Sequence, residues 1–189
     1  MNIELITPPT EEPITLAEAK EHLRVVHSDE DALIESLIIA ARETVESKLE
    51  RVLITQTWKH YFDRFPGEYA YELQAGIQSI ASVTYRDLDN VEQTLAPTVY
   101  EISKDAVSQF RLAYGQQFPE ALERDDSVAI SVVAGYGDRY AVPEGIKQAI
   151  KLLVGHYYEN REAVVVGTTT SVVPMAVDLL LRRYKVLYI

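Results

Sequence analysis

The stretch "SVAISVVAGYGDRYAVPEGIKQAIKLLVGHYYEN", residues 127–160, changes its period half-way. Its first part is dense in β-branched residues and closes on Gly135 and Gly137, which reads as a strand ended by a turn. Pro143, a good first-turn residue, opens the second part. There Ile146, Ala149, Ile150, Leu153 and Tyr157 share one helical face, and the run ends near Asn160. A sheet precedes this junction and helices follow it.

Upstream, "TLAE" forms a capping box, Thr15 with Glu18, ahead of Leu16, Ala19, Leu23 and Val26 at helical spacing. The expected helix covers about 16–26. "SDED" opens the next, with Ser28 as N-cap, Asp31 three residues on and acids where the dipole favours them. Leu33, Ile34, Leu37, Ile38, Ala41, Val45 and Leu49 form its apolar face, with Glu35, Arg42, Glu43, Glu46 and Glu50 opposite.

From residue 54 the period is two. "TQTWKHYFDRFPG" puts Trp58, His60 and Phe62 on one face. "IASVTYRDLDNVEQTLAP" reads as two strands around a turn at Asp87–Asn90, and "VYEIS" and "QFRLAYG" as short strands. The fold class is therefore α+β, a helical bundle core of about four helices with an inserted, mostly antiparallel β region. Residues 1–14 read as an extended arm because Pro8, Pro9 and Pro13 exclude helix. A single domain over 15–189 follows: helices over 15–53, the β region over 54–140, and helices over 141–189. A loop over 162–173, "EAVVVGTTTSVV", should be mobile. Pro174 restarts a helix to about 185 with Val177, Leu180, Leu181 and Tyr184 inward, and Asp178 pairs with Arg182 at i,i+4.

The 189 residues suit one compact domain and need no metal or disulfide staple. Cysteine is absent, which removes thiol nucleophiles and Cys-ligated metal sites. A net charge of −11 argues against gripping nucleic acid by its phosphates. The N-terminus has no basic n-region or apolar core of a signal peptide, and no apolar run is long enough to span a membrane.

Catalytic candidates are few. "HYYENRE" places His156 and Glu159 at i,i+3 on one helix face, a spacing that suits a metal. No second such pair exists, and further ligands would have to come from His22, His27, His60 or acids. A packed helix end is the favoured reading. Gly135-x-Gly137 lacks a phosphate-loop pattern and reads as a turn needing positive φ. Asp29–Asp31 reads as a helix N-terminus, since no EF-hand spacing follows. No catalytic residue, metal ligand or cofactor is expected. The basic "RRYK", followed by the apolar "VLYI", is either a solvated helix end or a contact surface.

The order of these segments resembles the head–tail connector (adaptor, or head-completion) proteins of tailed phages. "ITLAEAKEHLRV", "DEDALIESLIIAARETVE", "LITQTW", "VTYRDLDNVEQTLAPTVYEI", "FRLAYGQQFP", "VAISVVAGYGD", "VPEGIKQAIKLLVGHYYENREAV" and "VPMAVDLLLRRYKV" match in sequence, over about 13–186. The resemblance implies a structural protein of the virion neck, made in the host cytoplasm. It implies a ring, 12-fold in the virion, below the portal protein, which extends the DNA channel and offers a platform to a stopper or tail-completion protein. DNA then passes without specific binding. About a dozen copies at −11 each sum to roughly −130, which repels DNA from the lumen wall. The interface to portal or neighbouring subunit is expected at Arg182, Arg183, Tyr184, Lys185, Leu187 and Tyr188. The alternatives are a stopper or tail-completion protein or, from another class, a metal-dependent hydrolase using His156 and Glu159.

Overall fold

The structure, a computed structural model, describes residues 2–67, 69–104, 107–160 and 172–185. The chain divides into a β unit, residues 2–9 and 55–136, and a helical unit, residues 10–54 and 137–185.

In the β unit, β1 (Asn2–Thr7), β2 (Gln56–Phe62), β4 (Ile77–Arg86), β5 (Glu92–Thr94) and β8 (Val128–Ala134) form one antiparallel sheet in the order β1-β2-β8-β4-β5. β3 (Tyr71–Glu72), β7 (Ser108–Leu112) and β6 (Tyr100–Lys104) form a second. β8 is central, paired along both edges, and its nearly unbroken apolar run is buried at Val128, Ala129, Ile130, Val132 and Ala134, with Ser131 and Val133 half-buried. Its register sets Trp58 against Val132, His60 against Ile130 and Phe62 against Val128. The alternation expected for β2 is present, with His60 and Phe62 buried and Lys59 and Tyr61 half-exposed. The turn at Asp87–Asn90 joins β4 to β5, tied by Asp87 Oδ1, which accepts from the backbone of Val91 at 2.9 Å. The expected N-terminal arm is extended, but residues 2–7 pair with β2 as an edge strand. The prolines that exclude helix begin only after the strand has ended.

The helical unit holds α1 (Leu16–Leu23), α2 (Asp31–Leu49), α3 (Glu144–Glu159) and α4 (Val172–Leu181), followed by a 3-10 turn at Arg182–Tyr184. The capping box of α1 is present: Glu18 N donates to Thr15 Oγ1 at 3.1 Å, and Thr15 N donates to Glu18 Oε2 at 2.8 Å. α1 stops before the expected residue 26. Arg24 takes a left-handed conformation as its C-cap, which leaves Val26 outside the helix and exposed. α2 begins two residues later than the SDED reading expects, with Glu30 and not Ser28 at its N-cap position. Ser28 accepts the N–H of Asp31 through its backbone carbonyl, and the Asp31 carboxylate is engaged by Lys20 at 2.5 Å.

Of the expected faces, Ile34, Ile38, Ala41, Val45 and Leu49 of α2 and Ile146, Ala149, Ile150 and Leu153 of α3 are buried, while Leu33, Leu37 and Tyr157 are half-buried; Val154, outside the expected α3 face, is buried too. Arg42, expected on the polar side, is also buried, inside a carboxylate cluster. α4 starts two residues before Pro174, because a first-turn residue has no helical use for its N–H. The expected loop over 162–173 lies outside the described residues, save its last two positions, which open α4. Asp178 pairs with Lys48 of α2 at 2.9 Å, not with Arg182.

Candidate assembly surfaces

Of the crowded "HYYENRE" segment, the described residues 156–160 end α3 and tie it to its neighbours. Tyr157 Oη and Thr44 Oγ1 of α2 lie 3.0 Å apart, and Tyr158 donates to Glu30. Asn160 caps α3, with its backbone N–H and its Nδ2 both donating to the carbonyl of His156. Asn160 Nδ2 also lies 3.2 Å from His156 Nδ1. His22 packs beside Gly155 on the same helix, and His60 belongs to the β unit. No group of three or more His, Asp or Glu able to hold a metal occurs among the described residues. Gly135 and Gly137 have φ of 126° and 136°, so they serve the turn that leaves β8.

The polar chemistry of the helical unit is concentrated on a different residue. Arg42 donates through Nε to Glu12 at 2.8 Å and through Nη1 to Glu46 at 2.6 Å, with Glu43 3.6 Å away. Glu46 also accepts the backbone N–H of Leu53 at 2.8 Å. Burial works against the Arg42 cation, but Glu46 and Glu12 hold its pKa above the usual value. Glu12 goes the other way. Its burial outweighs the attraction of a guanidinium shared between carboxylates, so its pKa is raised. The cluster fastens the 11–14 segment to α2. Glu11 adds a second tie, accepting from Arg139 Nε at 2.6 Å. This network was not legible in the sequence, because Glu12 and Arg42 are 30 positions apart.

Three open surfaces among the described residues bear on assembly. The first is the basic end of α4. Arg182, Arg183 and Lys185 are exposed. Tyr184 is half-buried against Gly145 of α3, where an added Cβ would stand 2.9 Å from its hydroxyl, and the Arg183 guanidinium lies 5.0 Å from its ring centroid. Of the expected interface residues, Tyr184 thus anchors the turn while the three cations face solvent; Leu187 and Tyr188 lie outside the described residues. The second is a groove of about 330 Å³ beside α2, floored by Ile14, Leu16, Ile38 and Ile39 and rimmed by Glu12, Glu35 and Arg139. The third lies in the β unit beside Tyr69 and Tyr114, both exposed.

Comparison with known proteins gives these surfaces a context. The head completion protein family matches residues 12–185. The chain belongs to that family. The role this head completion protein carries is structural, at the junction of head and tail, and not enzymatic. Among curated proteins no sequence matches it. Solved structures share its fold. A chain from the neck of an empty gene transfer agent particle computed with C6 symmetry has a TM-score of 0.83 at 24% identity, covering 100% of this chain and 97% of that one. A chain from the virion of the native particle gives 0.83 at 22%, and one from the native neck computed with C12 symmetry gives 0.81 at 21%, each with the same coverage.

Proposed function

We propose that this head completion protein works as a ring adaptor in the neck of a phage-like particle, docked on the portal and carrying the stopper or tail-completion protein. The family match across nearly the whole chain carries the reading. The likeness to gene transfer agent neck chains solved with six- and twelve-fold symmetry supports a ring and a place in the virion. A ring needs two different, mutually complementary patches per subunit. The acidic groove beside α2 and the basic, apolar end of α4 are two such patches. The net charge of −11 per copy suits a channel that DNA passes without being held.

Arg182, Arg183 and Lys185 are the assembly contacts on this reading, toward portal or neighbour. Deleting residues 174–189 would also remove Val177 and Leu181 from the core. Charge reversal tests the surface more cleanly. Native mass spectrometry of the full chain, with and without its portal protein, decides between outcomes. A closed or portal-bound ring, lost on Arg182→Glu with Arg183→Glu and Lys185→Glu while the fold is kept, is expected. A small fixed oligomer indifferent to portal would overturn the adaptor reading.

A further inference from the structure

α4 presents two faces of different use. Val177 and Leu181 are buried in the helical unit, where α4 packs on α3. Met175 and Leu179, one turn apart, are 70% and 73% exposed. Arg182 and Arg183 lie about one further turn along. An exposed methionine–leucine stripe leading into two cations is costly to leave in water and is shaped for a partner with an apolar surface and acid at one end of it.

α2 carries such a surface. Ile39 is 42% exposed, with Glu35 one turn before it and Glu43 one turn after. Ser36 and Ala40 beside it are exposed and small, which lets another helix approach closely. Glu35 has no ion-pair or hydrogen-bond partner among the described residues, and Glu43 has only the long contact to Arg42. The groove floored by Ile14, Leu16, Ile38 and Ile39 opens next to Ile39 and has room for an aliphatic side chain. The step from Leu179 to Arg183 and the step from Ile39 to either glutamate are both four residues, about 6 Å along a helix axis.

Among the described residues of one chain the outer face of α4 is left open, because its other face is committed to the core. We propose that this face docks on α2 of the next copy, with Leu179 at Ile39 and the groove, and Arg182 and Arg183 at the glutamate one turn from Ile39 on that side. The contact joins two unlike patches, so it repeats head to tail and closes a ring. This inference rests on the ring reading and adds to it which surfaces meet.

The absence of cysteine makes the test direct. The full-length Ile39→Cys, Leu179→Cys double variant is assembled alone and on portal, then oxidised. A covalent ladder extending to the ring size is expected, while either single variant yields none. A mixture of the two single variants, one carrying a mass tag, should give the mixed pair. In parallel, Glu35→Arg with Glu43→Arg, and separately Arg182→Glu with Arg183→Glu, should each lower ring yield about tenfold, and combining all four in one chain should restore it. If wild-type rings form but no ladder appears, or the combined reversal stays defective, the contact is elsewhere and the ring reading survives. Cross-linking of position 179 to portal would overturn the proposal in favour of the portal as occupant. Failure of the wild-type chain to form a ring, alone or on portal, would remove the ring reading and this contact with it.

Discussion

In the helical unit a buried guanidinium, Arg42, is held by Glu12 and Glu46 with Glu43 close by; in the β unit a buried imidazole, His60, has no hydrogen-bond partner among the described residues for either ring nitrogen. Both side chains can carry a positive charge and both are shielded from water, with His60 at 0% exposure. The difference lies in what each can give up. An arginine cannot shed its proton, so it enters the core only with compensating carboxylates. A histidine can, and burial lowers the His60 pKa from 6.5 to about 4, which keeps it neutral. Trp58 Nε1, Gln74 Nε2 and Ser127 Oγ, also in the β unit, are likewise buried and neutral with no hydrogen-bond partner among the described residues. The helical unit manages its buried charge by pairing, and the β unit manages its buried polarity by neutrality.

The hardest test of that contrast is Arg42→Ala. It strands Glu12 and Glu46 in a shielded site and should cost about 3–5 kcal/mol, read as a lower urea midpoint. Arg42→Ala combined with Glu12→Ala should recover part of the loss; if it does not, the cluster is not the reason Arg42 is buried. Next comes pH. The His60 pKa is lower in the folded state than in the unfolded one, so the unfolded chain binds more protons between pH 6.5 and about 4. The stability that depends on neutral His60 is complete above pH 6.5 and drains as pH falls through the folded value, by roughly 3 kcal/mol over the window. His60→Leu should flatten that part of the profile and be neutral or stabilising at pH 7; an unchanged slope in chemical denaturation from pH 7 to 4 would exclude His60 as its source.

Thr15→Ala, which removes one half of the capping box, should cost about 1 kcal/mol. The Glu18 carboxylate is held below its usual pKa, first by the backbone N–H of Thr15, so this contribution is present at neutral pH and fades in acid. The smallest effect belongs to an exposed pair: Lys48→Ala should change stability by less than about 1 kcal/mol, since solvent screens its contact with Asp178.

What the sequence made legible was periodicity. α3, β2 and β8 follow from spacing alone, and so does the capping box, because all their determinants are local. Three features escaped for physical reasons. α2 starts at Asp31, where Ser28 accepts the Asp31 N–H through its backbone carbonyl and its hydroxyl makes no cap, so the local Ser28 signal is not used. β3 is two residues long and exists only by pairing with β7. Arg42 looks like any surface arginine until Glu12 is brought to it across 30 positions. The surfaces proposed for assembly were half visible. The RRYK cluster stands out as charge, but the Glu35, Ile39, Glu43 stripe is ordinary on a helix until Met175 and Leu179 are found exposed opposite in kind.

The insertion of the β unit between α2 and α3 also sets a timetable on the ribosome. α1 and α2 emerge with their apolar faces complete, but α3 is encoded beyond residues 55–136. At a synthesis rate of about 5–20 residues per second, the first two helices wait roughly 4–16 s for the strand-rich segment to pass. The β unit has no such wait at its end, since β1 is made first and β8 completes the sheet before α3 appears. The sheet can therefore be finished while the bundle is still half a core, and the nascent chain carries an uncovered Ile34–Ile38–Val45–Leu49 stripe throughout that interval.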